Sequence, residues 1–419
     1  MKVLIINHNG GSIYHGPNLR TYYASKALIE RGHNVTVVSS SFSHKYVVPP
    51  KVTGVVTAED IDGINFKWIQ CITYTNLIER IYSHFEFGFK LYFYRRQICT
   101  SADLVIFSGP PPELFLFASK FAKYLRAPII SDVRDFWPLT QIEMSIVNWF
   151  NPYTYFLYVC QLIMFSRSKH IVSPLSGASD YIRKINGKTK ISIIENGYDI
   201  DSNVSVTEPV LTVTAAGVGL DLRPKSALEL GSVKAMNRFV IGYSGSFDRD
   251  NDLDSLLEAA SRLKHRQDIL FMFVGGGLRE DDLIRASNTI DNLLVCERVE
   301  SRFVKNVLEV MDVCYCGLKR KNIYRYGVSL AKSYEYMAAR RPLIWMIHAH
   351  NNIVKDSGGG FTVEPGDVDQ LTQTIELAAS LEDSELCRLG DKGYEYMVSN
   401  CSYRVLGGRW HDLVQSCAE

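Results

Sequence analysis

Val3-Leu4-Ile5-Ile6-Asn7, then Asn9-Gly10-Gly11, then the amphipathic run Asn18–Arg31, then Gly32-His33-Asn34-Val35-Thr36-Val37: this opening stretch decides the fold. An apolar run of strand length enters a glycine turn and a helix pattern follows. Gly32 is placed to cap that helix before a second apolar run begins. Two such strands joined by a helix build parallel sheet, because parallel neighbours need a crossover between them. Glycines after the first strand let backbone amides approach an anion, helped by the dipole of the helix behind them. Gly10 and Gly11 are therefore donor-site candidates, although strand-to-helix turns favour glycine for purely local reasons too.

The same alternation continues outward along all 419 residues. Strand-length runs recur at Val35–Ser39, Leu104–Ser108, Ile129–Asp132, His170–Ser173 and Ile191–Glu195. They return at Phe239–Ser244, Ile269–Val274, Leu293–Cys296, Val313–Cys316 and Leu343–Met346. Helix patterns lie between them, such as Pro112–Leu125, Leu253–Leu263, Val304–Met311 and Lys332–Ala339. This is α/β architecture with doubly wound sheets, and the length suits two domains. We expect a Rossmann-like domain over 1–200, a linker or insertion over 201–237 and a second Rossmann-like domain over 238–399. The two are expected to face each other across a cleft, where such folds bind ligands.

Bulk charge argues against nucleic acid, since Lys and Arg number 46 and Asp and Glu 45. The distribution is uneven, with 21 basic against 14 acidic residues in 1–200 and 25 against 31 in the remainder. A basic first half suits an anionic partner, although surface scatter would give the same count. Nine dispersed cysteines without Cys-x-x-Cys fit a reducing compartment better than a disulfide framework or zinc site. Met1–Asn7 reads as a strand rather than a secretory leader. The most apolar stretch, 146–165, is broken by Asn148, Asn151, Pro152 and Gln161, and falls short of the roughly 20 apolar residues a membrane span needs.

Four motifs carry chemistry. Ser131-Asp132-Val133-Arg134-Asp135-Phe136-Trp137-Pro138 places two carboxylates and an arginine at a strand's carboxyl end. Such charges are costly to hold there without an ion pair or a ligand. Asn196-Gly197-Tyr198-Asp199 is a turn signal after the last strand of the first half. Gly242-Tyr243-Ser244-Gly245-Ser246-Phe247-Asp248-Arg249 offers small residues and one cation for a diphosphate, with Gly245 and Arg249 as candidates. Tyr326-Gly327-Val328-Ser329-Leu330-Ala331-Lys332-Ser333-Tyr334-Glu335-Tyr336-Met337-Ala338-Ala339 brings a loop into a helix whose first turns carry Lys332 and Glu335. A carboxylate there can accept ribose hydroxyls, and a lysine adds to the helix dipole's pull on phosphate.

These motifs, in this order, resemble those of retaining glycosyltransferases of family 4, which have the GT-B fold. The Asp-x-Arg-Asp-x-Trp-Pro and Gly-x-Ser-x-x-Lys-x-x-Glu-Tyr-Met-Ala segments resemble the N-acetylfucosamine transferases of O-antigen and capsule assembly. By that likeness Arg134, Asp135, Lys332 and Glu335 are catalytic. Gly10, Gly11, Gly245, Arg249, Ser329, Lys332 and Glu335 would hold a nucleotide-sugar donor of the UDP-HexNAc type, with Arg298 and Val299 at its base. His15, Arg20, Asp132 and Trp137 would meet the acceptor. The family's earlier glutamate would stand at Gly327 and is absent, and its usual Arg and Lys are replaced by Ser246 and Asn251. The last residues, 400–419, would form a helix crossing back to the first domain.

No cofactor is implied beyond the nucleotide-sugar co-substrate, and no metal, because fixed cations and helix dipoles can stabilise a departing diphosphate. Two stretches join aromatics to basic residues, Phe85–Arg96 and Trp149–Arg167. They suit the inner leaflet of a membrane and a polyprenyl-diphosphate-linked glycan acceptor, or else burial or a dimer contact. A UDP-sugar 2-epimerase and a catalytically silent nucleotide-binding subunit remain rival readings. A dinucleotide oxidoreductase lacks support, since no Gly-x-Gly-x-x-Gly opens either half.

Overall fold

The protein, seen as a computed structural model, is described over residues 1–16, 19–200 and 209–418. It divides into two compact α/β units. The first comprises Met1–Asn196, Tyr326–Ser329 and Tyr403–Glu419, and the second Gly197–Arg325 and Leu330–Ser402.

The first unit holds an eight-stranded sheet of β1 (Lys2–Ile6), β2 (Asn34–Ser40), β3 (Val56–Ile61), β4 (Ile64–Ile69), β5 (Leu104–Gly109), β6 (Ile129–Val133), β7 (His170–Ser173) and β8 (Lys190–Ile193). Their spatial order is β3-β4-β2-β1-β5-β6-β7-β8, and all pairs but β3–β4 are parallel. The central strands β1, β5 and β6 are apolar and buried almost throughout, as sheets covered by helices on both faces require. The helix Arg20–Glu30 ends in a Schellman turn: Gly32, at φ +82°, donates to Ile29 and His33 to Leu28. The expected start of that helix, Asn18, lies outside the described residues. The final helix, Tyr403–Ala418, packs Leu406, Trp410, Leu413 and Val414 into the core of this first unit.

The second unit holds β9 (Val210–Ala216), β10 (Ala227–Glu229), β11 (Phe239–Ser246), β12 (Ile269–Gly276), β13 (Leu293–Glu297), β14 (Val313–Gly317), β15 (Leu343–Met346) and β16 (Gly360–Thr362). The order is β10-β9-β13-β12-β11-β14-β15-β16, parallel from β13 to β16. Residues 210–237 thus depart from the expected linker: β9 lies antiparallel on β13, β10 extends the edge, and Leu230–Ala235 is helical. Alternating burial of Val210–Ala216 shows why, since one face of β9 joins the core. Residues 201–208 of that stretch lie outside the described residues. In both sheets the strand order reverses at the first parallel strand, between β1 and β5 and between β11 and β14. Ligands of doubly wound sheets bind beside such switch points.

Both aromatic stretches are helical and two-faced. The helix Leu77–Phe93 buries His84, Phe87 and Leu91, while Ile78, Tyr82, Phe89 and Phe93 are exposed, Ile78 at 80% and Phe93 at 71%. Gly88 admits close packing, since a Cβ there would stand 2.4 Å from the Phe117 ring. The helix Pro152–Arg167 buries Leu157, Cys160 and Phe165 and exposes Tyr155 and Val159, with Phe150 before it 94% exposed. Among the described residues no helix is long and apolar enough to cross a membrane.

Candidate functional site

In the second unit the donor candidates collect at the carboxyl edge of the parallel strands. Gly245 ends β11 with φ +151°, a backbone that favours glycine, and a Cβ there would sit 3.4 Å from Lys332 Nζ. Beside it, a Cβ on Gly275 at the end of β12 would strike the Gly245 carbonyl at 1.9 Å. Gly275-Gly276-Gly277 is therefore part of the same close-approach surface, and Gly277 too has φ +151°. Lys332 lies one residue inside the helix Ala331–Ala338, whose N-terminus no side chain caps. Its ammonium donates to Tyr243 Oη and to Asn251 Oδ1, both at 2.8 Å, and lies 4.5 Å over the Tyr243 ring. Asn251 is also bridged to Leu318, just beyond β14, so this cation stands at the switch point of the sheet.

Glu335 follows one turn later. Its carboxylate makes no hydrogen bond or ion pair among the described residues, and burial pushes its pKa above the ordinary glutamate value against the pull of Lys332. Burial likewise lowers the pKa of Lys332. A half-buried acceptor with open lone pairs beside a fixed cation is suited to a diol and a phosphate. Arg249 is exposed and without an ion pair among the described residues. Arg298 follows β13 and donates to the Gly276 carbonyl at 3.4 Å, with Val299 half-buried after it. Ser329 groups with the first unit, where its hydroxyl accepts from Asn196 N at 3.1 Å. Gly327 has φ +99°, so the position of the family's earlier glutamate carries a backbone that disfavours any side chain.

In the first unit Arg20 and Asp132 come together, but as a buried ion pair. Arg20 Nη2 and Nε donate to Asp132 at 2.9 and 3.1 Å, Ser108 Oγ donates to the same carboxylate at 2.8 Å, and Arg20 Nη1 donates to the Glu195 carbonyl at 2.7 Å. Arg20 also lies 5.3 Å over the Trp410 ring. Their charges are spent on each other, and the pair ties β6 to the helix Arg20–Glu30. His15 bonds Ser12 Oγ at 2.7 Å, and burial lowers its pKa. The Gly10 amide is likewise occupied, donating to Asn7 O at 2.9 Å; a Cβ there would meet Ser39 Oγ at 2.6 Å. Gly10 thus shapes the turn, and Gly11 is buried beside Tyr46.

Asp135 accepts from Phe136 N at 3.0 Å, from Trp137 Nε1 at 3.2 Å and from Thr140 Oγ1. Burial raises its pKa despite these donors. Arg134 Nε donates to the Gly109 carbonyl at 3.4 Å, and burial lowers its pKa. Asp132, Asp135 and Trp137 line a pocket with Gly109, Pro110 and Pro112, next to the β1/β5 switch point. Two cationic neighbours of this pocket, Lys45 and Arg80, and the adjacent His44 escape the motif reading. Gly275–Gly277 escape it in the second unit, although the glycine run after a strand is itself a close-approach signal.

Residues 238–380 match the family described as Glycosyl transferases group 1, over about a third of the chain. No curated protein sequence matches the chain. Among solved structures it is similar to sucrose-phosphate synthase from Thermosynechococcus elongatus, with TM-score 0.70 and 13% identity over 99% of this chain and 98% of that one. It is also similar to Anabaena HepE in complex with UDP and glucose, with TM-score 0.66 and 12% identity over 99% and 100%. A third is a trehalose-6-phosphate structure from E. coli bound with UDP-2-fluoro glucose, with TM-score 0.69 and 11% identity over 100% and 99%. At such identities the likeness speaks for the fold, and it spans the whole chain. A group 1 glycosyl transferase segment thus lies on a chain with the GT-B fold.

Proposed function

We propose that the chain is a retaining, metal-independent glycosyltransferase that moves a sugar from a UDP-HexNAc type donor to a polyprenyl-diphosphate-linked glycan. The setting is surface polysaccharide assembly at the cytoplasmic face of a bacterial inner membrane, with the protein bound peripherally. The observation that carries the reading is the meeting of Gly245, Lys332 and Glu335 at the switch point of the second sheet, inside the matched segment. In this role Glu335 accepts the ribose hydroxyls. Lys332 and Arg249 neutralise the diphosphate as its bond to the anomeric carbon breaks, and the uncapped helix N-terminus adds amide donors. Arg298 and Val299 flank the base. Asp135 and Arg134 orient the acceptor hydroxyl, and Gly11 lines the approach.

Uridine diphosphates bound in two of the similar structures support the donor class. The fucosamine-type subgroup rests on the motif likeness. The exposed apolar faces of Leu77–Phe93 and Phe150–Val159, beside Arg95, Arg96 and Arg167, support an anionic bilayer as the surface they meet. The silent-subunit reading has one observation in its favour, the left-handed backbone at Gly327 where the earlier glutamate is missing.

The deciding experiment follows turnover of a UDP-sugar panel by purified protein, with and without polyprenyl-diphosphate glycans and EDTA. Acceptor-dependent donor loss with EDTA present supports the proposal. UDP binding without turnover gives the silent subunit, and donor conversion without acceptor gives an epimerase. Co-sedimentation with anionic vesicles that persists in Phe150→Ser would count against lipid contact at this face.

A further inference from the structure

Lys45 and Arg134 face Asp135, which already accepts three hydrogen bonds, and Arg80 lies beside Lys45. Neither Lys45 nor Arg80 makes an ion pair among the described residues, and Arg80 Nε is buried without a hydrogen-bond partner. Arg80 lies 5.7 Å over the Trp137 ring, whose Nε1 holds Asp135, so the guanidinium is fixed at the same pocket. The other nearby carboxylates are spent: Asp132 on Arg20, and Glu113 on His84 at 2.9 Å and Tyr153 at 2.8 Å. Desolvation, Arg134 and Arg80 push Lys45 down although its side chain as a whole is exposed, and His44, exposed beside Arg80 and Lys45, falls to about 4. Arg134 also faces Asp132, which already pairs with Arg20, so Lys45 and Arg80 keep a mutual repulsion that a bound anion would relieve.

We propose that Lys45, Arg80 and Arg134 form an anion cradle for a phosphate or diphosphate group carried by the acceptor. That the ligand is the acceptor rests on the glycosyltransferase reading; that the site takes phosphate does not. Arg80 and Arg134 supply planar donors and Lys45 a mobile point charge, a set suited to several phosphate oxygens. The source is either a prenyl diphosphate or a free sugar phosphate.

The test is calorimetric titration of the full chain with inorganic pyrophosphate under saturating UDP, which fills the donor site. Arg80→Gln and Lys45→Gln should each weaken pyrophosphate at least ten-fold and leave UDP affinity unchanged, while Arg80→Lys should retain most of it. Farnesyl diphosphate and glucose 6-phosphate then serve as probes. The cradle stands if either binds and loses at least ten-fold in both Gln variants, and the tighter one names the source. Unchanged pyrophosphate affinity in both Gln variants overturns the cradle. Failure of UDP to bind the unaltered protein would instead strike the donor reading.

Discussion

The two charged motifs, Asp132–Asp135 in the first unit and Lys332–Glu335 in the second, look alike on paper and differ in what their charges do. Asp132 is sealed against Arg20 and Ser108, with side-chain exposures of 5% for Arg20 and 3% for Asp132. Among the described residues Lys332 is hydrogen-bonded by neutral oxygens alone, and the Glu335 carboxylate has no hydrogen bond. A charge that is neutralised inside the protein serves the fold, whereas one held by neutral dipoles keeps its field for a ligand. The ammonium of Lys332 reaches Asn251 from another element.

The contrast breaks most readily at the buried pair. Asp132→Ala leaves the Arg20 guanidinium uncompensated, and we expect a loss of about 3–5 kcal/mol in urea unfolding. Under the functional reading, Lys332→Met should instead lower kcat by about 10²–10³-fold in the donor-turnover assay, as loss of a leaving-group donor does, with little change in unfolding. A destabilisation as large as that of Asp132→Ala would remove the distinction between the motifs.

Glu335→Gln sharpens the comparison on a smaller scale, weakening UDP about 10-fold through loss of a charge-assisted acceptor. The pH dependence has a definite sign. Burial raises the folded pKa of Glu335, so its contribution to ligand-free stability is fully present below the unfolded carboxyl value and is lost as pH rises through the folded one. Ribose binding uses the carboxylate, so UDP affinity should be full above the raised pKa and fall as pH drops through it. Titrations across acidic pH should show that limb in the native protein and a flat profile in Glu335→Gln. Smallest is Gly327→Ala, where a φ of +99° costs about 1 kcal/mol by thermal unfolding. A wholly silent effect there would mean that the loop relaxes away from its strained backbone.

The repeating strands and helices of both units were legible because their periods are local. The hairpin of β3 and β4 was not anticipated, although Ile61-Asp62-Gly63-Ile64 encodes it: Asp62 and Gly63 both take positive φ in a two-residue turn. Polar residues in Val56–Ile61 hid that strand, which is an exposed edge. Strands β10 and β16 are edge elements too, and edges bury too little to write a clear pattern. In the site, Lys332, Glu335 and Gly245 were visible because each sits at a strand end or helix start with recognisable chemistry. Lys45 and Arg80 were not, since a lone cation in a loop or an amphipathic helix looks like solvated surface.

By itself the sequence determined two α/β units and the strand ends where ligands would gather, because apolar period and glycine punctuation act over neighbouring residues. Only the tertiary structure decided which charges cancel. Arg20 finds Asp132 across 112 residues and Lys332 finds Asn251 across 81. Strand order, not spacing, sets who meets whom, and burial then seals one cation against a carboxylate and leaves the other among neutral oxygens.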